Sequence, residues 1–198
     1  MKLFTLLPFI FLIGCASNTI THQNSLYASN KYEIDNLFTS TTLSIEEKIS
    51  NINRFVNAKI RYNDDIKIWS EKDYWATPKE TLSKLTGDCE DYAILKYFTL
   101  LENGIDSTKL RFIYAQNNKS NIAHMVLGFY NTDNTDPIIL DNNTKYLKKM
   151  SDIDELTFIY SFNDFGMWLI QDNKSKFIST KIINLWSDLK SRHVDSKI

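Results

Sequence analysis

Gly87-Asp88-Cys89-Glu90-Asp91-Tyr92-Ala93-Ile94-Leu95-Lys96-Tyr97-Phe98-Thr99-Leu100-Leu101-Glu102-Asn103-Gly104 is where a helical half of the chain meets a stranded half. Gly87 and Asp88 interrupt the preceding pattern, and Asp88 suits the N-cap of a new helix. From Cys89 to Asn103, Ala93, Leu95, Tyr97, Leu100 and Leu101 supply apolar side chains, and Gly104 stands where a glycine closes a helix. Upstream, Ser44-Ile45-Glu46-Glu47 is a capping box, and Ile45, Ile49, Ile52 and Val56 recur at helical spacing, so the pattern predicts a helix over 44–59. Thr77-Pro78-Lys79-Glu80 is a second box with proline at the first helical position, predicting a short helix over 78–85. Downstream, Leu110 begins a different texture. RFIYAQ, AHMVLGFY, PIILDN, LTFIYSFN and GMWLIQ are short aromatic and β-branched runs, with Asn/Asp-rich turns between the first three, as successive antiparallel strands require. Lys181 to His193, with Ile182, Leu185, Trp186 and Leu189, predicts a terminal helix. Helices first and strands second around one core is an α+β arrangement, N-terminal helices packed on an antiparallel sheet.

A length of 198 residues with 43% hydrophobic content fits one domain with a substantial core and excludes a disordered tail. Basic and acidic residues nearly balance, 23 against 24, so no basic footprint for nucleic acid is present. Two cysteines and three histidines leave almost nothing from which to build a disulfide scaffold or a Cys/His zinc site.

Lys2 followed by the apolar run Leu3 to Ile13 has the form of a secretory signal, too short to span a bilayer. Leu12-Ile13-Gly14-Cys15 resembles a bacterial lipobox, in which Cys15 is acylated and becomes the first mature residue; an ordinary cleaved signal is the alternative. Residues 1–14 are thus expected to be removed. Residues 15–30, the lipidated cysteine and a polar aperiodic stretch, are expected to form a tether, and residues 31–198 the folded domain. Ala16 after Cys15 resembles sorting to the outer rather than the inner membrane. The expected location is the periplasm, anchored by lipid.

With Cys15 assigned to the anchor, Cys89 is the remaining thiol, at the first turn of a helix whose free N–H groups and dipole favour thiolate. A small buried residue is the bland alternative. His22 falls in the tether and His193 near the chain end, which leaves His124, inside the strand 122–130, as the imidazole of the body. It is either a packed bystander or a general base. Asp141 closes the next strand; it is either a turn former or the carboxylate that orients His124. Asp88, Glu90 and Asp91 crowd the thiol and oppose its ionisation. They suit either a hard cation such as Ca²⁺ or a simple acidic helix start. Trp75 suits a buried anchor or a groove wall.

The string Trp75-Ala76-Thr77-Pro78-Lys79-Glu80-Thr81-Leu82, then Gly87-Asp88-Cys89-Glu90-Asp91-Tyr92-Ala93 with Lys96-Tyr97, then Leu110-Arg111, Ala123-His124-Met125-Val126-Leu127 and Leu140-Asp141-Asn142 resembles the bacterial transglutaminase-like cysteine proteinases. Tyr160-Ser161-Phe162-Asn163-Asp164-Phe165-Gly166-Met167-Trp168 is similar to that family's closing motif. The resemblance implies a papain-like, transglutaminase-like fold with Cys89 as nucleophile, His124 as base and Asp141 as orienting carboxylate. It also implies activating calcium held by Asp88 and Glu90, with Asp91 as a further ligand. In substrate and partners, it implies cleavage of the N-terminal region of a large surface adhesin beside a paired-alanine motif, dispersing biofilm. It implies inhibition by an inner-membrane receptor that responds to cyclic di-GMP. The lipobox departs from the family's more familiar soluble form. A cell-wall amidase or acyltransferase with the same residue order, and a non-catalytic lipoprotein scaffold, are the alternative functions.

Overall fold

The computed structural model describes residues 14–39, 42–132 and 136–195, with side chains from residue 19 onward. Residues 1–13 and the Cys15 side chain lie outside the described residues, as do the expectations that fall on them, the removal of a signal segment 1–14 and the lipidation of Cys15.

Six helices and a curled antiparallel sheet form the body. Helix α1 spans Gly14–Asn36, α2 Ile45–Lys59, α3 Asp65–Ile68, α4 Pro78–Lys84, α5 Cys89–Glu102 and α6 Asn184–Asp195. Both capping boxes are formed: Ser44 and Glu47 bond reciprocally at the start of α2, and Thr77 and Glu80 do so at α4. Two short parallel strands, β1 (Arg61–Tyr62) and β2 (Thr86–Gly87), tie the chain before α3 to the chain before α5. The main sheet takes β3 (Leu110–Asn117), β4 (Ala123–Phe129), β5 (Ile138–Leu140), β6 (Lys148–Lys149), β7 (Leu156–Phe162), β8 (Met167–Gln171) and β9 (Lys174–Ser179). Their order is β6-β5-β4-β3-β7-β8-β9, every neighbour antiparallel.

Alternation along the central strands splits the apolar residues into two cores. Phe112, Met125, Leu127, Leu140 and Phe162 face the helices, where Ile49, Ile52, Val56, Tyr97 and Trp186 meet them. Ile113, Val126, Ile139, Phe158 and Ile170 pack together in the second core. This half-and-half burial is why α5, with Ile94, Leu95, Tyr97 and Leu100 all buried, is apolar around most of its circumference: it is the central helix, wedged between β4, α2 and α4.

Two expectations are corrected. The stretch expected as an irregular tether is helical through residue 36, and its last turns are docked: Asn30 Nδ2 donates to the Leu82 carbonyl at 2.9 Å and Ile34 is fully buried. Three or four seated side chains suffice to fix a helix whose own amphipathic signal is weak, because tertiary packing outweighs propensity. His193, assigned to the periphery, is buried, with its ring 4.0 Å from that of Phe98. It is a packing residue of α6.

Candidate active site

Three element ends converge on one cleft. Helix α4 stops at Leu85, whose φ of 53° turns the chain left-handed into β2. Pairing of Tyr62 with Gly87 then aims the next residues so that α5 opens on Cys89. Gly87 is required by close approach: a Cβ there would stand 2.6 Å from Asp91 Cβ and 2.7 Å from Asp91 Oδ2. Gly87→Ala is expected to force the first turn of α5 outward, at a cost of about 1–3 kcal/mol. Differential scanning calorimetry checks it, and an unchanged melting temperature contradicts the packing described.

Cys89 is a free, half-buried thiol. Its Sγ donates to Glu90 Oε2 at 2.9 Å. Burial, and then the Glu90 carboxylate, push the thiol pKa well up, while the Met125 amide on β4 pulls the other way. As the first residue of α5, Cys89 has a backbone N–H without an intrahelical partner.

His124 is the second residue of β4, and Asp141 follows β5 directly. The antiparallel register that sets Leu127 against Leu140 carries the chain after β5 back past His124. His124 Nε2 lies 2.8 Å from Asp141 Oδ1. The Asn143 amide donates to the same carboxylate at 2.9 Å, and Asn143 Nδ2 lies 3.3 Å from His124 Nε2. Burial opposes ionisation of Asp141, but the hydrogen bond and charge of His124, the Asn143 amide and the charge of Lys96 hold its pKa below the usual value. With Nε2 committed to Asp141, the ring nitrogen left for proton traffic is Nδ1.

Cys89 and His124 line the same cleft of about 470 Å³, walled by Trp75, Tyr114 and Tyr160. The two tyrosine rings stack at 5.1 Å. Trp75 answers to both expectations: it is buried, stacked on Phe162 at 5.9 Å, and faces the cleft.

Beside the thiol, carboxylate oxygens of Asp65, Asp88 and Glu90 lie within 4.8 Å of one another. Asp65 Oδ1 and Asp88 Oδ1 are buried without a hydrogen-bond partner. Burial pushes the Asp65 pKa up to about 6, against the Tyr74 amide. Burial, then repulsion from Glu90, Asp91 and Asp65, pushes Asp88 up to about 10. A hard dication taking oxygen ligands fits this donor set, since it satisfies orphaned oxygens and relieves like-charge repulsion. Asp91, expected as a third ligand, stands outside that trio: its Oδ1 accepts from the Ala76 amide at 2.8 Å. Its Oδ2 is buried without a hydrogen-bond partner, and Asp65, not expected from the sequence, is the third member of the trio. Nothing near Asp65 in sequence announces it, because it reaches the site only through the β1–β2 pairing.

The family described as bacterial transglutaminase-like cysteine proteinase matches residues 15–175. The chain belongs to that family. Legionella pneumophila LapG in its calcium-bound form is 32% identical, with a TM-score of 0.73, covering 89% of this chain and 95% of that one. EGTA-treated LapG is 33% identical at the same TM-score, with 89% and 94% covered. A further LapG structure from that organism matches equally well. No curated protein matches the chain. This proteinase is therefore a cysteine peptidase of transglutaminase-like fold. Cys89, His124 and Asp141 all fall within the matched span.

Proposed function

We propose that this proteinase is a calcium-dependent periplasmic endopeptidase that cuts the N-terminal region of a large surface adhesin beside a paired-alanine motif, releasing the adhesin and dispersing biofilm. The observation that carries the reading is the His124–Asp141 pair opening onto the same cleft as Cys89 at a helix start. In the proposed mechanism Cys89 attacks the scissile carbonyl as thiolate, its proton passing to His124. His124 then protonates the departing amine, and water activated by the neutral imidazole hydrolyses the thioester. Asp141 fixes the ring and offsets its charge. The Cys89 backbone N–H faces the developing oxyanion.

Asp65, Asp88 and Glu90 are the residues that would hold calcium. The chemistry a bound ion supplies there is charge compensation, which favours thiolate beside three carboxylates. The calcium-bound and EGTA-treated forms of LapG support this choice of metal. Aromatic walls of Trp75, Tyr114 and Tyr160 favour small side chains at the bond cut, in keeping with paired alanines. A lipid on Cys15 would set the membrane at the start of α1, and a receptor responding to cyclic di-GMP would act by covering the cleft.

The test is incubation with an N-terminal fragment of an adhesin from the same cell and, separately, with peptidoglycan. The proposal expects one cut in the fragment, placed by mass spectrometry beside paired alanines and lost in EGTA. An intact fragment with released muropeptides would make the protein a cell-wall amidase; no cleavage of either would leave a scaffold.

A further inference from the structure

Helix α5 carries, two turns beyond Cys89, a charged group that the mechanism above does not use. Lys96 is fully buried. Its Nζ donates to Asn53 Oδ1 of α2 at 2.8 Å and reaches the Leu140 carbonyl at 3.5 Å. Asn53 in turn donates to the Thr144 carbonyl at 3.1 Å. One turn on, Asn57 donates to the carbonyls of Asp141 at 2.7 Å and Thr144 at 2.8 Å. The segment 140–144, which presents Asp141 and Asn143 to His124, is thus gripped from α2 and α5 together.

A buried ammonium is costly, and a fold built for stability alone would place methionine or leucine there. Burial lowers the Lys96 pKa to about 7, and the charge of Asp141 pulls it back up. The coupling is mutual, since Lys96 is among the groups that hold Asp141 ionised. His124 of β4 and the Glu155 carboxylate ahead of β7 also sense Asp141, and on the α2 side Asn57 bonds its backbone carbonyl while Arg54 borders the surface of residues 142–145.

We propose that Lys96 is a positioning residue: a buried cation behind Asp141 that, with Asn53, fixes the 140–144 segment and keeps Asp141 in the form that orients His124. This rests on the reading of Cys89, His124 and Asp141 given above. Its closer bond goes to Asn53, which itself holds the Thr144 carbonyl, and its longer one reaches Leu140, the residue before the orienting carboxylate, so both ends of the 140–144 segment are tied to it.

Lys96→Met and Lys96→Gln test it, the first removing charge and hydrogen bond, the second the charge alone. For each, calcium-loaded protein is assayed for melting temperature and for kcat and KM across pH. Both variants are expected to lose about tenfold in kcat with KM little changed. Their acid limb should move to higher pH, because one of the groups that hold Asp141 ionised against its burial is then gone. Lys96→Met should melt no lower than wild type, a desolvated ammonium being replaced by an apolar side chain. An unmoved acid limb in either folded variant overturns the proposal, as does a wild-type profile in Lys96→Gln. If only Lys96→Gln folds, its profile decides; if neither folds, Lys96 is a determinant of folding and the proposal fails. Asp141→Asn run alongside separates the two levels: wild-type activity there would sink the triad reading itself.

Discussion

Replacing Cys89 with alanine is expected to abolish peptide cleavage, with kcat falling by about 10⁶, while the circular dichroism spectrum and melting temperature stay close to wild type. The size of the loss follows from what the thiol does: no neighbouring group replaces the covalent step, and the remaining backbone donor and cleft only bind. Structure is expected to survive because Cys89 is half-buried and its side-chain hydrogen-bond partner, Glu90, is itself partly exposed. His124→Gln should lose comparably. Asp141→Asn should cost less, about 10⁴, since the asparagine carbonyl can still accept from the ring but no longer offsets its charge. Cleavage retained by Cys89→Ala at even a hundredth of the wild-type rate would show that another group is the nucleophile.

Removing the cation is the second large effect. With EGTA, or in Asp88→Asn or Glu90→Gln, cleavage should fall by at least about 100-fold, because the thiol then faces carboxylates that favour its protonated form. The same carboxylates make stability depend on pH in an unusual direction. Asp65 and Asp88 have folded pKa values raised to about 6 and about 10, above the unfolded value near 4. The folded state therefore holds more protons than the unfolded one across that window. Its stability is fully present below about pH 4 and declines as pH rises, through about 6 for Asp65 and onward to about 10 for Asp88. Calcium at a hundredfold excess over Kd should restore about 2.7 kcal/mol, more at pH 8 than at pH 5. In EGTA at pH 8, Asp88→Asn should melt above wild type, because an amide does not have to take up a proton on folding. Thermal melts at the two pH values, with and without calcium, check all three statements. Equal melting curves in calcium and EGTA at pH 8 would leave the trio as an acidic helix start and nothing more.

Short-range grammar made much of this molecule readable. The Ser44–Glu47 and Thr77–Glu80 boxes placed two helix starts within one residue, and Gly104, at a φ of +82°, closes α5 as a C-terminal glycine should. Scarcity made the thiol and the imidazole readable: two cysteines and three histidines leave few ways to assemble nucleophilic chemistry. What stayed hidden depends on contacts far apart in sequence. Asp65 meets Asp88 only because β1 pairs with β2, two residues each, too short to carry a strand pattern. Asn143 meets His124 through the β4–β5 register, and a run of three polar residues after a strand reads as turn. Asp91 and Asp88 look equivalent beside the thiol, yet Asp91 is engaged by the Ala76 amide, a partner fifteen residues upstream that its own neighbourhood does not reveal. Helix α1 was illegible because its seat on α4 uses a few spaced side chains rather than an apolar stripe. His193 shows the converse hazard, since closeness to the chain end says little about burial.

In the proposed mechanism Cys89 is a nucleophile activated by His124 and by a cation at Asp65, Asp88 and Glu90. The rate of Cys89 alkylation by iodoacetamide, followed by intact mass against free calcium in wild type and His124→Ala, tests it without a substrate. The account predicts a rate in calcium well above that of a free thiol at the same pH, falling on chelation and on loss of His124. A rate at or below that of a free thiol, indifferent to both calcium and His124, would contradict it.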